Sequence, residues 1–309
     1  MEVNLKTRLG PVELRHPVIN ASGTFDALSA DLVLEADLFD RFPFSAYIPK
    51  TVTLRPREGN KPPRLYETAA GLLNSIGLAN GGIDAFIKDD LPRLARLPVP
   101  VIVSVAGEST DDYGDCAGLL EAHPEVAAIE LNVSCPNIEL GGRSLGLDPK
   151  RTHRAVSLAR SATSKFLIVK LTPNVTDIVE IAAAAADAGA DCISLINTVH
   201  GMVLDHWSLK PVLGHITGGL SGPAIKPVAI RAVFLVSQAL DGLPVIGMGG
   251  ITTGQNALEF LAAGAAAVAV GTANFRNPLA AADIVSELGG LMQERGIGSV
   301  EELTGLAQK

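Results

Sequence analysis

The chain has 309 residues, of which 47% are hydrophobic, and this is enough apolar material for a large core. Its 25 basic and 33 acidic residues give a net charge of −8 without a cluster of Lys and Arg, which argues against nucleic acid or a membrane surface as a partner. No apolar stretch approaches the ~20 residues of a bilayer span, and three scattered cysteines do not make a disulfide framework, so we expect a cytoplasmic protein.

Short apolar segments rich in Val and Ile recur along the chain, and most of them lack polar alternation. This pattern is typical of parallel strands that are buried on both faces. The predicted strands are residues 18–23, 46–51, 99–107, 128–134, 166–172, 192–198, 243–250 and 266–272. Between several of them lie predicted helices. One covers residues 176–191, with Thr176 as its N-cap and Gly189 after its end, and another covers residues 253–266.

Eight such strands with helical connections predict an α/β fold, a (β/α)8 TIM barrel formed by one domain of residues 1–309. A doubly wound open sheet is the alternative, although residues 21–26 (ASGTFD) are only a weak version of the glycine-rich turn that it usually needs. Two regions depart from the repeat. Residues 4–17 predict an N-terminal hairpin that closes the bottom of the barrel. Residues 53–82 are long and polar, which predicts an extended binding loop over the barrel mouth.

Two lysines follow predicted strands, at the end of the barrel where active sites lie. Lys170 ends a strand made of Leu, Ile and Val, and Lys50 ends the second strand. An unpaired ammonium group would be costly there, so either lysine is a candidate for binding an anionic group. For Lys170 an ion pair with Glu130 on the neighbouring strand is the structural alternative.

Glycine-rich turns occur late in the chain, each beside a predicted helix start. They cover residues 221–227, 247–254 and 270–275. The loops after the last two strands are the usual phosphate site of a TIM barrel, where backbone N–H groups reach the anion. Glycines that merely terminate strands are the alternative. Because many other strand ends are also polar, the pattern favours a large phosphorylated cofactor.

A lone thiol, Cys135, lies between two asparagines in the sequence NVSCPN, residues 132–137. Cys116 and Cys192 are predicted to be inert core residues. A cysteine nucleophile would need a histidine partner, and none lies at a strand end. The reference pKa of a thiol, ~8.5, therefore favours Cys135 as a general base.

Four asparagines lie at strand ends or in mouth loops, namely Asn74, Asn132, Asn137 and Asn197. An amide both donates and accepts hydrogen bonds, which suits a flat ring with alternating N–H and C=O groups, such as a pyrimidine. A nearby lysine could then neutralise a carboxylate on that ring. Taken singly, each asparagine is more often a turn residue.

Several spaced motifs together resemble the dihydroorotate dehydrogenase family, and more narrowly its soluble class 1, B-type catalytic subunit. They are ELNVSCPN with GGRSLGLDP, GLLNSIGLAN, INTVHGM, GGLSGPAIKP and GMGGI. The resemblance implies an FMN-containing TIM barrel that oxidises dihydroorotate to orotate in pyrimidine biosynthesis. It also implies that Cys135 removes the C5 proton while the C6 hydride passes to the flavin.

The resemblance further implies a set of contact residues. Those matching orotate contacts are Lys50, Asn74, Ile76, Gly77, Leu78, Asn132, Asn137, Asn197 and Thr198. Those matching flavin contacts are Ala21, Ser22, Lys50, Thr51, Ser104, Asn132, Lys170, Ile196, Gly222, Gly249, Gly250, Gly271 and Thr272. Lys170 would stabilise negative charge on the reduced flavin. Ser104 departs from the B-type pattern, which often has asparagine there.

The sequence gives less information about the electron acceptor than about the substrate site. Three scattered cysteines cannot provide the four ligands of an iron–sulfur cluster, and no resident metal is predicted. The B-type resemblance implies that FAD and a [2Fe–2S] cluster belong to a partner subunit, which passes electrons to NAD⁺ in a heterotetramer built on a homodimer. The alternatives are an A-type, fumarate-dependent homodimer, an enzyme that resembles dihydropyrimidine dehydrogenase, and a barrel lyase with a Schiff base on Lys170.

Overall fold

A computed structural model describes residues 3–34, 42–134 and 144–309 of the chain. The strands, in chain order, are Thr7–Leu9 (β1), Val12–Leu14 (β2), Val18–Asn20 (β3), Val52–Thr53 (β4), Leu65–Thr68 (β5), Gly71–Asn74 (β6), Val101–Ala106 (β7), Val126–Asn132 (β8), Phe166–Lys170 (β9), Cys192–Leu195 (β10), Val199–Gly201 (β11), Gly218–Ser221 (β12), Val245–Met248 (β13) and Ala267–Val270 (β14).

The helices lie mostly between the barrel strands. They are Ala27–Leu34 (α1), Ile83–Ala85 (α2), Leu91–Leu94 (α3), Asp111–Glu121 (α4), Pro149–Ala162 (α5), Ile178–Asp187 (α6), Lys226–Ala239 (α7), Gly254–Ala262 (α8), Ala273–Arg276 (α9), Ala280–Glu294 (α10) and Val300–Leu303 (α11). A π-helical turn covers Phe86–Asp90, and short 3₁₀ turns cover Leu145–Leu147, Pro223–Ile225 and Leu306–Gln308. Among the helices that the structure describes, none has both the length and the apolar composition of a membrane span.

Eight parallel strands form one curled sheet in the order β3, β14, β13, β10, β9, β8, β7, β4. The first strand of this sheet pairs with the last, and the others follow in chain order, which is the topology of a closed barrel rather than an open sheet. The prediction of a TIM barrel is therefore confirmed, and the doubly wound alternative is wrong.

The barrel closes between β3 and the segment before β4, in part through a side chain. The strand predicted at residues 46–51 is reduced to a single bridge between Tyr47 and Val101, and β4 begins only at Val52. Beside it, the buried amide of Asn20 donates to the carbonyl of Ile48 at 2.7 Å and accepts from the Ile48 N–H at 2.8 Å. An amide side chain carries the same donor and acceptor as a peptide group, so Asn20 extends the contact that begins with the backbone bond from the Ser45 N–H to the Val18 carbonyl at 3.0 Å.

The predicted N-terminal hairpin is confirmed, since β1 and β2 pair antiparallel. Leu9, Val12 and Leu14 are buried in one cluster with apolar residues from the barrel interior. The Thr7 hydroxyl also donates to the carbonyl of Ala266, just before β14 begins, at 3.1 Å. The hairpin therefore fills the end of the barrel at which the strands start, opposite the end at which active sites lie.

Helix α6 begins one residue later than predicted. Its N-cap is Asp177, in an extended conformation, and the Asp177 carboxylate accepts from the N–H of Val179 at 2.9 Å. The predicted cap, Thr176, is therefore wrong, because only one of two adjacent capping residues can take this position. Gly189 follows the helix with a φ of +99°, as predicted for a residue beyond the helix end.

A second sheet lies over the barrel mouth, formed by four antiparallel strands in the order β11, β12, β6, β5. The region predicted as an extended loop, residues 53–82, contributes the β5–β6 hairpin to it. Gly71 begins β6 where a Cβ would collide with the carbonyl oxygen of Ser221, which explains the glycine at this crossing. The sheet joins two mouth segments that are far apart in the sequence.

Candidate functional site

Polar side chains from the ends of neighbouring strands meet at the barrel mouth. The ammonium group of Lys170, at the end of β9, donates to the hydroxyl of Ser22 at 2.9 Å. The Thr51 hydroxyl lies 3.0 Å from that of Ser104 and 3.5 Å from that of Ser22. These four predicted flavin contacts therefore lie together, because the carboxyl ends of parallel strands share one rim of the barrel.

Lys170 also faces a buried carboxylate. Its Nζ lies 3.8 Å from an oxygen of Glu130, with the lysine side chain 6% exposed and the glutamate side chain fully buried. The Ser104 hydroxyl donates to one Glu130 oxygen at 2.8 Å, and the Ser194 hydroxyl donates to the other at 3.2 Å. The ion pair considered as the structural alternative for Lys170 is therefore present. It does not exclude a ligand, since an ammonium group has three donors.

Asn132 and Asn197 are in contact at the same rim. The Nδ2 of Asn197 lies 3.4 Å from the Oδ1 of Asn132, and Asn132 is only 5% exposed. The Asn197 side-chain oxygen accepts from the N–H of Thr198 at 2.8 Å, and the Tyr113 hydroxyl donates to the backbone carbonyl of Asn132 at 2.9 Å. These bonds fix two amide groups side by side, as recognition of a ring with several donors and acceptors requires.

The mouth sheet brings Asn74 to this group. The Asn74 amide, at the end of β6, donates to the carbonyl of Gly219 on β12 at 3.2 Å. A Cβ at Gly219 would collide with the side chain of Thr198, so Asn74 and Thr198 both contact this one glycine. Ile76, Gly77 and Leu78 follow, and positive φ angles of +73° at Gly77 and +57° at Leu78 turn the chain sharply.

Lys50 lies at the mouth beside the loop that follows β3. A Cβ at Gly23 would lie 2.9 Å from the Lys50 Cδ and 3.1 Å from its ammonium nitrogen. Lys50 is partly buried. The Lys50 ammonium group therefore lies against Gly23, close in the chain to Ser22 and Thr51.

The three glycine-rich loops converge at the mouth. A Cβ at Gly250 would lie 2.8 Å from the Gly222 carbonyl oxygen, and the Thr272 hydroxyl donates to the Ser221 hydroxyl at 2.8 Å. The φ angles of Gly222, Gly249 and Gly250 are +92°, +129° and +78°, which favour glycine. The loops after β12, β13 and β14 thus lie against one another.

The remaining predicted flavin contacts border these loops. A Cβ at Gly249 would lie 3.4 Å from a side-chain carbon of the buried Ile196. At Gly271 the backbone has no positive φ, and the nearest described atoms to a Cβ would be 3.6 Å away, on Ala21 and Thr24. Neither strain nor packing in the described residues therefore requires glycine at position 271, which fits close approach of a ligand.

Two predicted site residues, Cys135 and Asn137, lie outside the described residues. Both sides of the gap are held at the mouth. The Ser134 hydroxyl donates to the carbonyl of Lys170 at 3.0 Å, and the Ser144 hydroxyl donates to the carbonyl of Val133 at 2.7 Å. Ser134, which directly precedes Cys135 in the chain, is therefore tied to the strand that ends in Lys170.

The prediction that Cys116 and Cys192 are core residues is confirmed. They are 1% and 0% exposed, and burial raises the pKa of the Cys116 thiol to about 12 and that of Cys192 further still. Both thiols are therefore un-ionised and unreactive near neutral pH. Within residues 3–34, 42–134 and 144–309, no three His, Cys, Asp or Glu side chains are grouped so that they could hold a metal ion.

A cavity of about 880 Å³ opens beside the site. It is lined by apolar and polar residues of the segments 23–30, 47–52, 80–94 and 274–278, and Lys50 is the one predicted contact residue among its described lining residues. The convergent polar groups lie elsewhere, so this cavity is not the candidate site.

Three residues of the site were not among the predicted contacts. Glu130 was considered only as an ion-pair partner, and the hydroxyls of Ser194 and Ser221 were not considered. The signal for Glu130 was present, since it is a charged residue within the apolar strand β8. The two serines carry no comparable signal, because a serine near a strand end is common.

Comparison with known proteins identifies relatives along nearly the whole chain. A family model described as dihydroorotate dehydrogenase matches residues 4–292. The chain is 50% identical over 309 residues to "Dihydroorotate dehydrogenase B (NAD(+)), catalytic subunit" of Desulforudis audaxviator, covering 100% of this chain and 99% of that protein. The protein of the same name from Geotalea uraniireducens is 50% identical over 302 residues, with 98% and 97% covered.

A solved structure also matches. It is the crystal structure of DHODH from Eimeria tenella in complex with ferulenol, with a TM-score of 0.82 and 25% identity, covering 99% of this chain and 89% of that one. Family model, relatives and fold thus agree over nearly the whole length of the chain. The chain belongs to the dihydroorotate dehydrogenase family.

Proposed function

We propose that this protein oxidises dihydroorotate to orotate as the catalytic subunit of a B-type dihydroorotate dehydrogenase. The observation that carries the proposal is one rim of the barrel where Lys170, Ser22, Thr51 and the amide pair Asn132–Asn197 lie next to three converging glycine loops. A polar group suited to a heterocyclic ring thus adjoins a backbone cradle suited to a phosphate.

The chain's own groups fit FMN. Gly271 leaves room that a Cβ would fill, the positive φ angles of Gly222, Gly249 and Gly250 favour glycine, and N–H groups in such glycine-rich loops bind phosphate oxygens. The hydroxyls of Ser22 and Thr51, the Asn132 amide and the Lys170 ammonium would hold the polar edge of the ring. When bound, FMN supplies the acceptor for the two electrons and the hydrogen that leave C6 of dihydroorotate.

The remaining residues of the rim would hold the substrate. We assign its carboxylate to Lys50 and its ring amides to Asn74, Asn132, Asn137 and Asn197, with Thr198 and the turn of residues 76–78 closing the pocket. Cys135 takes the proton from C5 as hydrogen leaves C6, which leaves the C5=C6 double bond of orotate. A thiol at its reference pKa is only a few per cent ionised at pH 7, so the rate should rise with pH until the thiolate is fully formed.

A cradle of this kind predicts a sharp effect of one added methyl group. Gly250→Ala places a Cβ 2.8 Å from the Gly222 carbonyl oxygen, at a φ of +78° that costs a non-glycine residue about 1–2 kcal/mol. We expect FMN to bind about tenfold more weakly to the variant apoprotein, measured by quenching of FMN fluorescence. Gly290→Ala is the control, because no described atom lies within 4 Å of a Cβ at that position. Equal FMN affinity of the two variants would contradict the assignment.

Electrons must then leave the flavin. We propose that a partner subunit carrying FAD and a [2Fe–2S] cluster takes them to NAD⁺, and that the two kinds of subunit form a heterotetramer built on a homodimer of this chain. The test is to reduce the purified flavoprotein with dihydroorotate and follow its reoxidation. Rapid reoxidation by NAD⁺ only with the partner present supports the proposal. Rapid reoxidation by fumarate without a partner would instead assign the chain to the A-type.

A further inference from the structure

Glu130 is a charged residue in a position where charge is costly. It lies in the middle of the barrel on β8, its side chain is fully buried, and its neighbours along the strand are apolar. A buried carboxylate is maintained only when it is paired and hydrogen-bonded. Here two serine hydroxyls donate to it, at 2.8 and 3.2 Å, and the Lys170 ammonium faces it at 3.8 Å.

These bonds are part of a larger network at the barrel mouth. Lys170 donates to Ser22, Ser22 lies near Thr51, Thr51 contacts Ser104, and Ser104 returns to Glu130. The network thus closes on itself through five side chains. Its only full charges are Lys170 and Glu130, so the ammonium that faces the mouth is balanced from below by one carboxylate.

The distance between the Lys170 ammonium and the Glu130 carboxylate is longer than a hydrogen bond. A charge-assisted hydrogen bond from an ammonium group to a carboxylate is about 2.7–2.9 Å long, whereas the Lys170 Nζ lies 3.8 Å from Glu130. The Lys170 ammonium is therefore attracted electrostatically to Glu130 but does not form a charge-assisted hydrogen bond with it. Within the described part of the chain the Lys170 ammonium donates one hydrogen bond, to Ser22, and an ammonium group has two further donors that a ligand can use.

We propose that Glu130 is a positioning residue for Lys170, which holds the ammonium group at the flavin site and, by its negative charge, keeps the reduction potential of the bound flavin low. This rests on the proposed function, in which Lys170 contacts FMN. Negative charge builds up on the flavin ring when it takes up two electrons, and a nearby cation stabilises it. An anion paired with that cation offsets part of the stabilisation and so opposes reduction.

The test is the two-electron reduction potential of bound FMN in Glu130→Gln, titrated with a reference dye. Glutamine has nearly the same shape. Its amide oxygen still accepts from one serine hydroxyl and its NH2 group can donate to the other, so the change removes mainly the charge. We expect the equilibrium constant for flavin reduction to rise about tenfold, which is ~30 mV for a two-electron couple. Glu294→Gln, on the exposed surface of α10, is the matched control and should leave the potential unchanged.

Other variants separate charge from structure. Ser194→Ala removes one hydrogen bond to Glu130 but keeps the carboxylate, so its equilibrium constant should change by less than threefold. If Glu130→Gln does not fold, Glu130→Asp replaces it. Withdrawing the carboxylate by one methylene group should shift the constant at least threefold in the same direction. A potential that stays at the wild-type value in the folded Gln variant, or in the Asp variant where that replaces it, would overturn the proposal and leave Glu130 a purely structural ion pair.

The titration needs bound FMN but not dihydroorotate, so the two proposals fail separately. A wild-type flavoprotein that dihydroorotate does not reduce contradicts the proposed function, while the shift in Glu130→Gln is still measurable. A wild type that is reduced by dihydroorotate, together with an unshifted Gln variant, contradicts only the role of Glu130.

Discussion

Cys135→Ser is expected to slow the reduction of bound FMN by dihydroorotate by on the order of 10²–10⁴-fold near neutral pH, the usual contribution of a general base. A thiol has a reference pKa of ~8.5 and is partly ionised at neutral pH, whereas an aliphatic hydroxyl is not ionised in water. The serine variant keeps a side chain of similar shape, so orotate should still bind. The rate is measured by stopped-flow absorbance of the oxidised flavin under anaerobic conditions.

Cys116→Ala is the control for loss of a thiol. Cys116 lies on α4, is 1% exposed and has a pKa raised to about 12 by burial, so it cannot act as a base at neutral pH. Its removal should leave the reduction rate within about twofold of wild type once the protein is folded and loaded with FMN. Reduction of Cys135→Ser at the wild-type rate would remove Cys135 from the mechanism.

Lys50→Ala is expected to weaken orotate binding about 10- to 100-fold. Hydrogen bonds to charged groups contribute about 1.5–3 kcal/mol, and truncation leaves the carboxylate of orotate without its cation. The dissociation constant is obtained by titrating the FMN-loaded protein with orotate and following the change in the flavin spectrum.

Lys61→Ala and the ligand uracil are the controls for this titration. Lys61→Ala removes an exposed lysine from the same mouth region and should bind orotate as wild type does. Uracil lacks the carboxylate, so its weaker binding should change less between wild type and Lys50→Ala. Unchanged orotate affinity in Lys50→Ala would favour an enzyme of the dihydropyrimidine dehydrogenase kind, which needs no lysine for a carboxylate.

The barrel could be predicted because its signal is local. Continuous runs of Val and Ile, each followed by a helix, mark strands such as β9 and β14, and both were placed within two residues of their observed ends. The segment 46–51 was predicted as a strand for the same reason. There two of the bonds to β3 are made by the Asn20 side chain, 28 positions from Ile48, and no local pattern reveals this.

The mouth sheet could not be predicted, for a related reason. The pairing of β6 with β12 joins Asn74 to Gly219, 145 positions away, and strands of three or four residues with several glycines carry little signal of their own. The length and polarity of residues 53–82 did indicate a binding element at the mouth. The sequence does not specify which distant segment this element pairs with.

In the candidate site, most of the residues could be predicted from the sequence but their pairings could not. Lys170 was predicted from its place at a strand end, and Ser22, Thr51 and Ser104 from the family resemblance. The structure places these side chains in contact, because barrel topology brings the carboxyl ends of the strands together. It does not determine which group pairs with which. The closed arrangement that leads through Glu130 depends on side-chain directions within β7 and β8, and these follow from packing rather than from sequence spacing.

The sheet over the mouth has a consequence for assembly. Residues 71–74 and 218–221 are far apart in sequence, and we expect them to pair once the barrel strands between them have brought both segments to the same rim. Asn74 is then expected to reach its place only when those strands have formed. A compound that binds Asn74 and Thr198 together would recognise finished barrels and not partly assembled chains, and by mass action it would raise the yield of the completed fold.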